Sequence, residues 1–394
     1  MSSRQVTATL HSPSGELAPP ADIQHISLRQ YLFSHHVFEV IVPFDNVEGP
    51  QTGFLSQAPK QLLGQPLSMQ TQADMFHFNS GQTLGFSGLI THLSTSKDND
   101  YAGSILVRGF SPCYLLTDGL KKRTFVGQTL AAIFQKVLEP YPNNLLKREI
   151  NPVHQAPLAY VTQYNESNFA FLNRLAAEYG EWFYFDGKKL RLGTPSAGKE
   201  IKFVADGIHN RFSFGMNLKP ALVKLYEYDY QQHKHYTSST GQHRIPAIQN
   251  HPFGRLALAQ SEQLFTDEMH MPAEAFIRSP AEPDEEAKLL KANAMGDLIT
   301  FEGTSDNPDV SLGCVLEVSG EGIGSRTIAP DSFGKYRVIA ITHRVDAAGN
   351  YSNEFTAIPN ALDIPPANLN YDPPHGSPEL AEVIDDRDPL KLVG

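Results

Sequence analysis

Four histidines, His233, His235, His243 and His251, lie close together. The first two, spaced by one residue, would share a face of a strand, an arrangement that suits a divalent metal. No cysteine or ordered carboxylate nearby completes a ligand set, so a loop of surface histidines is the simpler reading. Asp284, Glu285 and Glu286 supply adjacent carboxylates, but glycoside hydrolysis needs two at a set spatial separation with one desolvated, and adjacency does not provide that. Gly85-Phe-Ser-Gly88 falls one residue short of the Gly-x-Ser-x-Gly nucleophile elbow. Gly320, Gly322 and Gly324 start like a nucleotide loop, yet Ser325 occupies the next glycine position and no Gly-Lys-Ser/Thr follows. Trp182-Phe-Tyr-Phe185 has the surface to stack a sugar or a base, but half of an alternating hairpin must face a core. Cys113 and Cys314 are far apart and read as reduced, packed thiols. No catalytic residue, cofactor-binding residue or metal ligand emerges, and the chain does not read as an enzyme.

The elements that would carry any site are mostly strands. At 394 residues the chain has room for two or three domains, with frequent glycine and proline and little long helical periodicity. The net charge of -11 and the short basic clusters Lys121-Lys122-Arg123, Lys147-Arg148 and Lys188-Lys189-x-Arg191 offer no phosphate-tracking stripe, so nucleic acid is not an expected partner. No apolar run approaches the ~18 residues of a membrane span, and the N-terminus lacks a signal-peptide core. Synthesis in the cytosol without a stable membrane anchor is expected.

His36 to Val42 alternates as a strand, and Gly88–Leu93 with Ser104–Phe110 forms a hairpin around Lys97-Asp-Asn-Asp100. Leu130, Ile133, Phe134, Val137 and Leu138 recur at helical spacing before Pro140 and Pro142. A second helix runs from Asn168 to Tyr179, with Ser167 or Asn168 to cap it and Gly180 to stop it. Trp182–Phe185 then pairs with Leu190–Leu192 across Asp186-Gly187-Lys188-Lys189. A helix-like stretch over 287–296 follows an acidic segment, and Arg337–Val345 pairs with Tyr351–Ile358.

The block from Tyr160 to Phe185, a Tyr-Asn-Glu-Ser-Asn-Phe step, a Phe-Leu-x-Arg-Leu-Ala helix and an aromatic hairpin after glycine, resembles VgrG, the spike protein of type VI secretion. Related hubs of contractile phage tails share the pattern. Its structural motif residues are Tyr164, Glu166, Phe169, Leu172, Arg174, Leu175, Gly180, Tyr184 and Phe185. Gly88-Leu-Ile-Thr-His, Val-Arg-Gly-Phe-Ser-Pro112, Arg123-Thr-Phe125, Gly303-Thr-Ser-Asp306 and His343 to Phe355 occur in the family's order. The resemblance implies a mainly β chain with an α+β insert, its two β-barrel-like tube domains trimerising into a ring. The expected divisions are a flexible N-terminus over 1–22, a first barrel-like hub domain over 23–111 plus 196–235, and an inserted α+β domain over 112–195. A second barrel-like hub domain covers 236–360, and 361–394 is a linker and the start of a truncated OB-fold domain. The resemblance also implies a homotrimer that caps the Hcp tube protein, contacts baseplate proteins, and reaches a PAAR tip protein and effectors through an absent C-terminal region. It would assemble in the cytoplasm and then be secreted or translocated into a target cell. Two rival readings are a hub of a phage tail or extracellular contractile injection system, and a cell-wall glycan hydrolase.

Overall fold

The computed structural model describes residues 4–49, 55–73, 83–96, 103–195, 200–205, 210–229, 233–273, 281–320, 331–370 and 376. The chain opens with strands β1 (Val6–Ser12), β2 (Gly15–Glu16), β3 (His25–Tyr31) and β4 (Val37–Pro43). Short helices α1 (Phe44–Glu48) and α2 (Ala58–Leu62) lead to β5 (Pro66–Ala73), β6 (Thr83–Ser96) and β7 (Ser104–Phe110). A compact α+β unit follows, with β8 (Lys121–Thr129), α3 (Leu130–Leu138), β9 (Arg148–Ile150), β10 (Pro157–Glu166), α4 (Asn168–Glu178), β11 (Phe183–Phe185) and β12 (Leu190–Leu192). Beyond it come β13 (Glu200–Ala205), β14 (Arg211–Met216), β15 (Val223–Asp229), β16 (Lys234–Ser239), α5 (Pro246–Gln249), α6 (Pro252–Leu264), β17 (Met269–Pro272) and α7 (Ala281–Met295). The last strands are β18 (Ile299–Ser305), β19 (Val315–Gly320), β20 (Asp331–Asp346) and β21 (Tyr351–Pro359).

Among the described residues, thirteen strands join one hydrogen-bonded sheet in the order β14-β18-β21-β20-β3-β4-β7-β6-β5-β1-β2, with β13 and β19 branching from β20. The chain is therefore mainly β, and the long β20 is its hinge of connectivity. The N-terminal half of β20 pairs with β19 from Asp331 to Arg337, and its C-terminal half pairs with β3 from Ala340 to Asp346. A register irregularity between Val338 and Ala340 marks the change of partner, while β21 follows the other edge along both halves. The sheet also curls back on itself, because Gln5 bridges Asn350 and Val6 N–H donates to Gly349 O at 2.9 Å. Two curled units thus share the β20–β21 hairpin. Alternation packs Val6, Ala8, Leu10, Phe38, Val40 and Phe86 inside the first, and Phe203, Phe301 and Phe355 inside the second.

The expected divisions differ from the observed ones in four places. The N-terminal segment, expected to be flexible, supplies β1, whose pairing with β5 buries Val6, Ala8 and Leu10. Residues 200–216 were expected in the first unit, but β13 pairs with β19 and β14 with β18, so they belong to the second. Within the stretch 236–360, β16 leaves the main sheet for a small sheet with β15 and β17, and α6, for which no expectation was formed, lies against β14 and β18. Residues 361–370 are not a free linker: Leu362 is buried, Trp182 Nε1 donates to Asp363 O at 2.7 Å, and Ala367 N–H donates to Asn293 O at 3.2 Å. The expected OB-fold start beyond 376 lies outside the described residues, as do most of the Gly322–Ser325 loop and the turn at 97–100.

Below the β3–β20 seam runs a chain of buried polar side chains. Gln30 Nε2 donates to His36 Nδ1 (3.2 Å), and His36 Nε2 donates to Tyr31 O (3.2 Å). Gln30 Oε1 accepts from His343 Nε2 (3.1 Å), and His343 Nδ1 accepts from the Tyr351 hydroxyl (2.7 Å). Both Nδ1 atoms act as acceptors in this arrangement, which requires neutral imidazoles. Burial pushes His36 and His343 down to about 3, and burial alone takes the adjacent His35 to about 4. Each ring stays neutral in the folded chain down to its lowered pKa but protonates near 6.5 when unfolded. The unfolded state then binds more protons, so stability is present above that value and is lost as pH falls through the window. Moving from pH 7 to pH 5 is expected to cost roughly 2 kcal/mol for each ring, measured as a lower urea midpoint; an unchanged midpoint would contradict the neutral network.

Candidate functional site

The motif residues come together where β10, α4 and the β11–β12 hairpin meet. Ser167 caps α4 by accepting from Ala170 N–H at 3.1 Å, and Gly180 follows its end with φ +65°. Strand alternation alone would put Tyr164 and Glu166 on the same face. A bulge at Asn165, which takes φ +52°, inserts one residue and shifts the phase, leaving Tyr164 half-buried outside and Glu166 buried inside. Lys122 lies over the Tyr164 ring at 4.6 Å.

Glu166 meets Arg174 in a two-point ion pair, Nε to Oε1 at 2.8 Å and Nη2 to Oε2 at 2.9 Å. Arg174 also donates to Thr162 O (2.8 Å) and Glu178 Oε1 (2.6 Å), and its guanidinium stands over Phe171. Burial acts to lower the pKa of Arg174, but Glu166 and Glu178 outweigh it and the pKa is raised. A second polar layer adjoins this pair. Asn168 donates to the Tyr141 hydroxyl at 2.6 Å, Arg123 donates to Gln163 at 2.6 Å and to Asn168 Oδ1 at 2.5 Å, and Gln163 donates to Glu166 O at 2.9 Å. Gln163 and Tyr141 were absent from the sequence-derived set. The alternation that buries Val161 also points Gln163 inward, and this was the available signal.

The remaining motif residues connect the insert to its surroundings. Phe169 packs on His35 (3.9 Å between ring centroids) and on Phe183. Leu172 and Leu175 are wholly buried. At Gly180 a Cβ would fall 2.2 Å from Leu289 Cδ1 of α7, so only glycine lets the two elements touch. Phe185 meets His36 and Phe86 of the first unit edge-on. Tyr184 lies against Gly313 of the second unit, its hydroxyl pushed up to about 12 by burial. Apart from Tyr164, which stays on the outer face, the motif residues form a joint that links both sheet units and α7.

Among the described residues, the histidines and carboxylates that suggested chemistry are placed as follows. His233 precedes β16 with φ +51°, and among the described residues no group of three or more His, Cys, Asp or Glu side chains converges as metal ligands would. Ser238 approaches both His243 Nε2 (3.2 Å) and Asp284 (2.6 Å), but its hydroxyl donates to the carboxylate and the same imidazole nitrogen faces both partners. A nucleophilic relay needs the acid on the opposite ring nitrogen from the serine.

The model of the family described as phage tail baseplate hub (GPD) matches residues 55–348. No curated protein sequence matches the chain. The fold is similar to a tail protein from Neisseria meningitidis MC58, with TM-score 0.63, 11% identity, and coverage of 92% of this chain and 99% of the other. It is also similar to an E. coli protein described as a component of the type VI secretion system with structural similarity to the T4 bacteriophage tail proteins gp27 and gp5 (TM-score 0.58, 13% identity, 90% and 78% covered). The Francisella PdpA-VgrG complex contains a third similar chain (TM-score 0.56, 9% identity, 94% and 55% covered).

Glu166→Ala leaves the Arg174 charge buried with Glu178 as its remaining carboxylate, and is expected to cost about 3–5 kcal/mol. Lys121→Ala removes the exposed pair with Asp118 and is expected to cost less than about 1 kcal/mol. Urea unfolding followed by the fluorescence of the single tryptophan, Trp182, reads the joint directly; equal effects of the two substitutions would refute the ranking.

Proposed function

Because this chain belongs to the phage tail baseplate hub family, we propose that it is the hub of a type VI secretion spike, a structural part that trimerises and seats a piercing device on the Hcp tube. The observation that carries this reading is the pair of curled sheet units built on one shared hairpin. Three copies of a two-unit chain present six similar units, the number a sixfold tube end requires. The fold similarity to a type VI secretion component supports the same reading. In this role the chain meets Hcp on one side and baseplate proteins around it. A PAAR tip protein and effectors complete the spike, and the particle assembles in the cytoplasm before export into a target cell. Among the described residues no helix is long and apolar enough to cross a membrane. The buried joint gives the hub rigidity and performs no chemistry.

A second reading, the hub of a phage tail, draws on the higher TM-score to the Neisseria tail protein, 0.63 against 0.58 for the secretion component. The two readings differ in the tube protein that the hub engages.

Electron-microscope class averages of the purified chain at high concentration are expected to show rings with three- or sixfold appearance. Addition of Hcp should give stacked complexes under the first reading, while a phage tube protein should do so under the second. Single small particles in every mixture would overturn both.

A further inference from the structure

The insert is the basic part of an acidic protein. Residues 112–195 carry ten Lys and Arg against seven Asp and Glu, in a chain whose net charge is -11. Four of those cations are ion-paired: Arg174 with Glu166 and Glu178, Arg191 with Asp186 and Glu149, Lys189 with Glu149, and Lys121 with Asp118. Lys147 and Lys188 are set apart by sharing one cavity. Neither makes an ion pair among the described residues, and both line a cavity of about 380 Å³ between the insert and the edge of the first sheet unit. None of the described residues lining that cavity is acidic.

The main chain of both lysines is tied to the hairpin that forms the buried joint. Asp186 Oδ1 accepts from Lys188 N–H and Lys189 N–H at 2.8 Å each, and Ser87 N–H of β6 donates to Gly187 O at 2.8 Å, pinning the turn to the sheet. The Lys188 side chain runs back over Gly85, where a Cβ would lie 3.1 Å from its Cε and 3.5 Å from its Nζ. Leu190 N–H donates to Lys147 O at 2.8 Å, which anchors the second lysine to the same hairpin. Ser68 and Ser87 add hydroxyls, and Leu115 and Leu145 supply apolar wall.

Two ammonium groups and hydroxyl donors around a partly apolar cavity, with no competing carboxylate in its lining, match one kind of ligand. We propose that this cavity binds an anionic group, a carboxylate or a phosphate, carried on an apolar body. Lys147 and Lys188 supply the charge-assisted hydrogen bonds, and the leucines cover the apolar part.

Isothermal titration of the full chain with octanoate and with octyl phosphate tests this, with octanol as the neutral control. Saturable binding of at least one anion, absent with octanol, is expected, and which anion binds more tightly identifies the head group. The double variant K147Q/K188Q should weaken that binding at least tenfold. K189Q, which alters a neighbouring lysine already paired with Glu149, should bind like the parent chain and shows that the hairpin tolerates such a change. No saturable binding of either anion, octanol binding as tightly as the anions, or equal affinity in K147Q/K188Q would overturn the proposal.

Discussion

A strand has two hydrogen-bonding edges, and β20 serves three neighbours with them. It does so by length: sixteen residues leave room for β19 on one stretch of an edge and β3 on the next, with β21 on the other side from Tyr336 to Val345. The irregularity near Ile339 falls at the handover, and Leu32 N–H donates to Ile339 O at 3.1 Å there. Because both curled units draw on the same strand, a slip in its register would turn core side chains outward in both. The neutral histidine chain beneath the seam guards against that slip. Its donors and acceptors match in one register only, and leaving one unmatched in the interior costs about 1–3 kcal/mol.

The insert solves a different problem, that of fixing a two-stranded ribbon and two helices beside a large sheet. The unit buries a core of its own around Phe125, Phe134 and Phe171, and its docking needs contacts that reach beyond that core. It therefore uses aromatic rings, which carry large area with few rotatable bonds, against His35, His36 and Phe86 on one side and Gly313 on the other. The Glu166–Arg174 pair contributes less by net attraction than by penalising every arrangement that separates the two charges in a dry interior. Charge is managed unevenly around the same hairpin. Asp186 and Glu149 neutralise the cations that hold it together, while Lys147 and Lys188 are left facing a cavity.

Periodicity made much of this fold readable before any coordinates. The helix of α4, its serine cap and its glycine stop follow from the spacing of Leu172, Leu175 and Ala176, and the β11–β12 turn follows from Asp186-Gly187. Local chemistry sufficed because each feature closes its hydrogen bonds within a few residues. The bulge at Asn165 was not readable, since one extra residue in a strand leaves no mark on composition. The placement of 200–216 was missed because β13 and β19 are parallel partners more than a hundred residues apart, and only the sheet as a whole decides that pairing. The strand at β1 does show in the alternation of Val6, Ala8 and Leu10, but it sits in a segment otherwise rich in Ser, Pro and Thr, and only its pairing with β5 distinguishes it from a flexible end.

For the candidate site the division is similar. Sequence alone singled out Glu166, Arg174 about two turns beyond the start of the helix, and the aromatic hairpin, but it missed Gln163 and Tyr141, whose partners lie on other elements. The histidines and adjacent carboxylates stood out by type, but their spatial separation is not a property that spacing along the chain can supply. Only the tertiary structure decided what the joint joins: that Phe185 reaches the first unit, Tyr184 the second and Gly180 the helix α7. Those contacts link segments separated by a hundred residues or more, and their energies depend on distances and burial that no local spacing encodes.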